Sequence, residues 1–186
     1  MELVLVHPEI PHNTGCAARL AAALSIRLHL VEPLGFKLED RYLKRAGLDY
    51  WPMVDLCVHT DWAAAAKFFA ADSERPLQDR IRMFSARGGK SLFESDFQGD
   101  DLLVFGSESG GIPAELLASY PDNRIYIPIH EGVRSLNLAN VVCLGAYTAM
   151  VKAGEPLPEN AGGYVRDERA DLGLQPSDVV QGPETA

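Results

Sequence analysis

The sequence predicts an α/β fold, a parallel sheet flanked by helices, and three observations carry that expectation. Short apolar, β-prone runs alternate with helix-like stretches, as they must when crossover helices join parallel strands. The runs are apolar almost throughout rather than at every second residue, which fits strands covered on both faces. No internal repeat interrupts the alternation, and the single shift in composition begins at Glu155.

Taken in order, strands are expected at about Glu2–His7, Arg27–Glu32, Met53–His59, Ile81–Ser85, Leu102–Gly106 and Arg124–Pro128. Helices are expected between them at Thr14–Leu24, Glu39–Ala46, Thr60–Ala71 and Pro113–Ser119, the last opening on a proline, which a first helical turn tolerates. A longer helix is expected over Asn137–Ala153. Leu138, Val141, Val142, Gly145 and Ala149 form a stripe along it at helical spacing, and either Ser135 or Asn137 can cap it. Beyond Glu155, prolines and glycines break up any long element, leaving a flexible tail with one short helical turn near Arg166–Leu172. The expected organisation is one domain over 1–154 and an acidic tail over 155–186.

Composition narrows the functional classes. With 186 residues, 47% hydrophobic and 23% charged, and a mean hydropathy of −0.05, the chain has the make-up of a single globular domain. It has no apolar run long enough to span a bilayer, and Glu2 stands where an export signal needs a basic segment, so neither membrane insertion nor export is expected. Cys16, Cys57 and Cys143 are odd in number and far apart, which suggests neither a disulfide framework nor a zinc site and fits a reducing cytoplasm. The net charge of −9 opposes nucleic-acid binding at face value. Residues 155–186, however, hold seven acids against Arg166 and Arg169, so −5 of that charge sits in the tail and local basic patches remain available in the body.

Ligands of an open α/β sheet bind beyond the carboxyl ends of its strands, so the loops after strands carry the chemistry. Pro8–Gly15 leads into a helix bearing Arg19. Asn13 or Thr14 there is either a helix cap, with Arg19 a solvated charge, or Asn13 and Arg19 together present an amide and a guanidinium to an anionic substrate. Phe105–Pro113 is rich in glycine and carries Glu108. It is either a tight turn or a place where backbone approaches a ligand, and it matches no dinucleotide or Walker phosphate motif. Ile127–Asn140 brings Arg134, Ser135, Asn137 and Asn140 to the entrance of an apolar helix, more polar groups than capping alone requires. Phe84–Lys90 reads as an ordinary exposed turn. Arg41, Lys44 and Arg45 form either a solvated helix face or an RNA contact, and Tyr50 and Trp51 either stack on bases or pack in the core.

In order, these segments resemble the three signature motifs of the SpoU class of SPOUT methyltransferases. The first is similar to Asn13-Thr14-Gly15 with Arg19, the second to Phe105–Pro113, and the third to Ile127-Pro128 with Arg134–Asn140. Glu32–Phe36 and Arg41–Trp51 resemble the stretch that marks the TrmL-type branch, and the likeness runs from about Glu2 to Ala153. It implies an α/β knot, with a deep carboxyl-terminal trefoil that periodicity itself does not indicate. It further implies a cytoplasmic, metal-free homodimer that uses S-adenosylmethionine to methylate the ribose 2′-hydroxyl of the wobble nucleotide, cytidine or modified uridine, in the tRNA anticodon loop. By the same resemblance, Arg19, Asn13, Glu108 and Asn137, with Ser135, match the reaction centre. Phe84, Gly106, Ile127 and Ser135 match cofactor contacts, while Arg41, Lys44, Arg45 and Arg134 contact RNA. Gly110 departs from the polar or basic residue often found there, and the tail has no counterpart. The alternatives are methylation at another tRNA or rRNA site, a non-catalytic RNA-binding protein that keeps the fold, and a Rossmann-type metabolic enzyme, which the missing phosphate motif opposes.

Overall fold

Leu3, Val4, Leu5 and Val6 are fully buried, and the strand they form, β1 (Glu2–Val6), lies inside the sheet. The computed structural model describes residues 1–38, 50–86, 88–159 and 180–181. The other strands are β2 (Leu28–Val31), β3 (Leu56–His59), β4 (Ile81–Phe84), β5 (Lys90–Ser91), β6 (Leu102–Phe105), β7 (Arg124–Tyr126) and β8 (Val180–Gln181). All pair in parallel, in the order β5-β7-β4-β6-β1-β2-β3-β8. The helices are α1 (Pro11–Leu24), α2 (Trp62–Ala71), α3 (Leu77–Arg80), α4 (Ala114–Ser119) and α5 (Leu138–Ala153).

Because side chains alternate across a strand, β1 feeds two cores. Leu3 and Leu5 join Leu28, Leu30, Leu103 and Phe105 under α1 and α5. Val4 and Val6 join Val31, Met83 and Val104 under α2 and α4, whose Phe69 and Leu116 close that side. Each fully buried Val, Leu or Phe contributes roughly 1.5–3 kcal/mol, so the near-continuous apolar strands are what the two-sided core demands.

The elements begin and end on specific residues. Asp61 caps α2 by accepting from the Ala64 N–H at 2.8 Å. Asn137 caps α5, accepting from the N–H groups of Ala139 (3.0 Å) and Asn140 (3.4 Å), and Gly154 closes it with φ 73°. Helix α1 begins at Pro11, a turn earlier than Thr14, and neither Asn13 nor Thr14 caps it; both side chains are buried within its first turn. The expected strand over Met53–His59 starts only at Leu56, because Trp51–Met53 form a 3₁₀ turn. The short elements β5, α3 and β8 carry too few residues to show a period. Residues 180–181 of the expected tail pair with Cys57 and Val58 at the sheet edge. The helix expected at Glu39–Ala46 and the turn expected near Arg166–Leu172 lie outside the described residues.

At the amino end of the sheet, Asp100 and Asp101 bind Arg75, Arg80 and Arg82. Buried Arg80 also donates to the carbonyls of Asp100 (3.0 Å) and Phe69 (2.8 Å). This network fixes the starts of β4 and β6, the strands whose far ends open the site.

Candidate active site

The loops after β1, β4, β6 and β7 converge at the carboxyl end of the sheet around a cleft of about 950 Å³. Asn13, Phe84, Gly106, Glu108, Ile127, Arg134, Ser135 and Asn137 all line it. The cofactor residues suggested by sequence therefore share one cavity with most of the suggested reaction centre. A smaller hollow of about 460 Å³ near Asp79, Arg82 and Asn123 lies at the opposite end, away from every loop that follows a strand.

Glu108 organises the rim. Its carboxylate accepts from the backbone N–H of Glu9 (2.8 Å) and Ile10 (3.2 Å) and from the Asn13 amide nitrogen (2.8 Å). A carboxylate at this place satisfies donors that precede α1 and faces the positive end of its dipole, which explains how the helix starts without a cap of its own. Glu9 answers reciprocally. Its carboxylate accepts from the Ser109 N–H (3.1 Å) and hydroxyl (2.6 Å), clasping the β1–α1 and β6–α4 loops together. Gly35 seats the same loop, since its N–H donates to Pro8 and a Cβ there would lie 2.7 Å from the Glu9 backbone.

From Glu108 a hydrogen-bond chain crosses to the third loop. A carboxylate only accepts, so Asn13 must turn its NH₂ toward Glu108 and its oxygen toward Asn137, whose NH₂ donates to it at 3.0 Å. Asn137 is then left with its oxygen facing the α5 backbone donors, where it caps. Both amide orientations follow from the two ends of the chain. Asn137 is thus cap and link at once, and the choice between Ser135 and Asn137 as cap falls to Asn137.

Beneath this rim, Gly106 permits an approach that no other residue allows. A Cβ would sit 1.9 Å from the Gly111 carbonyl carbon, and the Ser107–Gly111 bridge (3.1 and 2.9 Å) could not close. Phe84 stacks on Phe105 with centroids 4.5 Å apart, and Gly145 of α5 lies against its edge. The loop beginning at Phe84, which reads as an ordinary turn, is therefore one wall of the cleft.

Arg19 stands apart. It is the ninth residue of α1, about 9 Å along the axis from Asn13, on an exposed face and not in the cleft lining. Its guanidinium lies over the Tyr50 ring, 5.0 Å from the centroid. Asn13 and Arg19 therefore do not face one pocket of this chain together: Asn13 lines the cleft and Arg19 does not. Trp51 packs against the core. Arg134 is exposed at the cleft, and Arg41, Lys44 and Arg45 lie outside the described residues. The Glu9–Ser109 contact was hidden in sequence, since its partners are 100 residues apart.

One buried group of metal-ligand type lies elsewhere, under α2: His29, Cys57 and His59. The His29 Nδ1 and His59 Nε2 atoms are 2.9 Å apart, the ring planes differ by 19° and the centroids are 5.2 Å apart. Those values describe two rings meeting edge to edge, nearly in one plane, through a single hydrogen bond. A carboxylate only accepts, so Glu2 takes the His29 Nε2 proton, and a single proton joins His29 Nδ1 to His59 Nε2. Burial, with the charge of His29 adding and Glu2 opposing, pushes the His59 imidazole down to about 4. For Glu2, burial alone would raise the carboxyl, but the His29 hydrogen bond and nearby positive charge hold it below its ordinary value.

Residues 1–147 match the model of the SpoU rRNA methylase family. A tRNA (cytidine(34)-2′-O)-methyltransferase of Burkholderia ambifaria is 44% identical over 153 residues, covering 82% of this chain and 95% of that one. A solved structure described in terms of 2′-OH methylation of C/U34 on tRNA is 48% identical, with a TM-score of 0.75 over 82% of this chain and 95% of the other. The fold is also that of the SpoU methyltransferase AviRb from Streptomyces viridochromogenes in complex with AdoMet, at 22% identity and a TM-score of 0.70, over 81% of this chain and 57% of the other.

Proposed function

This chain belongs to the SpoU rRNA methylase family, and on that premise we propose that it methylates the ribose 2′-hydroxyl of tRNA nucleotide 34, cytidine or modified uridine, with S-adenosylmethionine. The observation that carries the proposal is the chain Glu108–Asn13–Asn137, which fixes polar groups at the rim of a cleft floored by Gly106. The cleft suits the cofactor. Its volume lies in the range of small-ligand sites, Gly106 exposes backbone, Phe84 and Ile127 offer apolar surface to a purine, and Ser135 offers a hydroxyl.

When bound, S-adenosylmethionine supplies a methyl group on an electrophilic sulfonium. The protein's part is to hold the ribose oxygen in line with that carbon and to stabilise the charge that oxygen gains as its proton leaves to solvent. Asn13, fixed from both sides, presents a polar group without rotational freedom. Glu108 is spent on the β1–α1 loop and on Asn13, so it acts as a positioning residue. A guanidinium is a poor base. Arg19 therefore clamps the neighbouring phosphate and stabilises the developing alkoxide, with Arg41, Lys44, Arg45 and Arg134 gripping the anticodon loop.

The working unit is a homodimer in the cytoplasm, with residues 1–154 as the domain. Leu144, Tyr147 and Val151 stand exposed along one stripe of α5, an apolar face that a second copy would cover. Helix α1 packs beside α5. A dimer joined through α5 would carry each Arg19 toward the shared interface, which accounts for its place outside the cleft of its own chain. Among the described residues, no helix is long and apolar enough to cross a membrane.

The test is single-turnover methyl transfer to tRNA with saturating cofactor, followed by mapping of the modified nucleoside. The expected product is a 2′-O-methyl group at position 34. Arg19→Ala should slow transfer roughly 10²- to 10³-fold with cofactor affinity unchanged, and Arg19→Lys, which keeps charge but not the planar fork, should recover part of the rate. Binding of tRNA without any methyl transfer would favour the non-catalytic reading, and a wild-type rate in Arg19→Ala would remove that residue from the reaction.

A further inference from the structure

We propose that Tyr50 is a positioning residue for the reaction, holding the Arg19 guanidinium in the orientation in which it meets the RNA. The proposal rests on Arg19 acting in methyl transfer. Arg19 projects from an exposed face of α1 on a side chain with several free torsions, so its head must be restrained if it is to act at one place. Among the described residues, the ring set against it is Tyr50, 5.0 Å from the guanidinium carbon.

An aromatic face suits this task better than a carboxylate would. An acid would neutralise the cation and occupy the forked N–H donors that a phosphate or alkoxide needs. A ring attracts the cation through its quadrupole and leaves those donors and the full charge available. Tyr50 is itself anchored. The 3₁₀ turn Trp51–Met53 follows directly, its Met53 N–H donates to the Tyr50 carbonyl at 2.8 Å, and Trp51 packs against the core shared by α1 and α5. The ring is therefore tied to the same core as the helix that carries Arg19. In sequence it directly follows the segment that holds Arg41, Lys44 and Arg45.

The test is a double-mutant cycle on the full-length protein, read by single-turnover methyl transfer at saturating cofactor and tRNA. Tyr50→Leu should lower the rate roughly fivefold to thirtyfold, the range a partly desolvated cation–π contact supports, while cofactor affinity by calorimetry stays unchanged. Tyr50→Phe restores the ring and should recover most of the lost rate. In the Arg19→Ala background, Tyr50→Leu should cost nothing further, because the group it positions is gone. If Tyr50→Leu melts at a lower temperature, Tyr50→Met, which fills the space without a ring, takes its place in the cycle. An equal loss with and without Arg19 would overturn the proposal, as would a wild-type rate in the leucine and methionine variants while Arg19→Ala is slow. A wild-type rate in Arg19→Ala would overturn both this proposal and the role of Arg19 on which it rests.

Discussion

His59 shows how one buried side chain couples stability to pH. Its imidazole is held at about 4 against an ordinary 6.5, first by burial and then by His29 beside it, so it stays neutral in the folded protein where the unfolded chain would protonate it. Between those two values the unfolded state binds more protons. Stability from this group is therefore complete above about pH 6.5, falls as pH drops toward 4, and levels off below. The full loss is at most about 3 kcal/mol. Urea unfolding at pH 7.5 and pH 4.5 should show that loss in the wild type. His59→Phe, which keeps a ring beside Phe68 and Phe69, should be less stable at pH 7.5 yet show a markedly shallower dependence on pH. An identical pH dependence in the two proteins would mean that other groups carry it. This cluster is not legible in the sequence: Glu2, His29 and His59 are dispersed, and only the parallel register of β1, β2 and β3 brings them to one face.

At the scale of elements, strands were readable because burial on both faces leaves a continuous apolar run, as in Leu3–Val6 and Leu102–Phe105. The helix ends were readable only where the cap is local. Asn137 adjoins the helix it caps, whereas α1 takes its terminal carboxylate from Glu108, so the sequence alone suggests a start at Thr14, a turn later than Pro11. The site was legible as three separate loops, but the contacts that make it one object, Asn13 to Glu108 and Asn137 to Asn13, span 95 and 124 residues. Asn137 can be used to separate element from site. Asn137→Ala removes both functions and should cost about 1 kcal/mol of stability with a loss of activity. Asn137→Asp keeps an acceptor for the α5 N–H groups but turns a carboxylate oxygen toward the Asn13 oxygen, and Asn13 cannot flip without facing Glu108 with its own oxygen. Thermal unfolding of the Asp variant should stay near wild type while single-turnover transfer falls at least tenfold. Wild-type transfer in Asn137→Asp would reduce the link to a cap and nothing more.

At the scale of the whole molecule the difficulty is charge: a chain of net −9 must hold a polyanion. Association then has to rest on a few cations against a repelling background, and such binding is governed by the counterions released from the phosphates. The amino-terminal body is less acidic than the total suggests, because residues 155–186 hold −5 of that charge, and its cations include Arg41, Lys44, Arg45 and Arg134. If about four phosphates of a single-stranded loop are neutralised, the slope of log affinity against log salt is near −3, and raising salt from 50 to 200 mM weakens binding roughly 50-fold. Reversing Arg41 and Arg45 to Glu removes two contacts and adds repulsion, so the slope should shrink by about 1.4 and affinity should fall at every salt concentration. With the cofactor in the cleft, as proposed, its binding should not change. Removing residues 160–186 should act in the opposite sense on RNA and strengthen binding most at low salt, since the repelling charge is then least screened. Filter binding or fluorescence anisotropy with one tRNA, across salt and across these variants, measures all of this at once. An affinity for tRNA indifferent to salt and to both reversals would mean that the RNA is held by shape and stacking, with the basic segment no more than a solvated face.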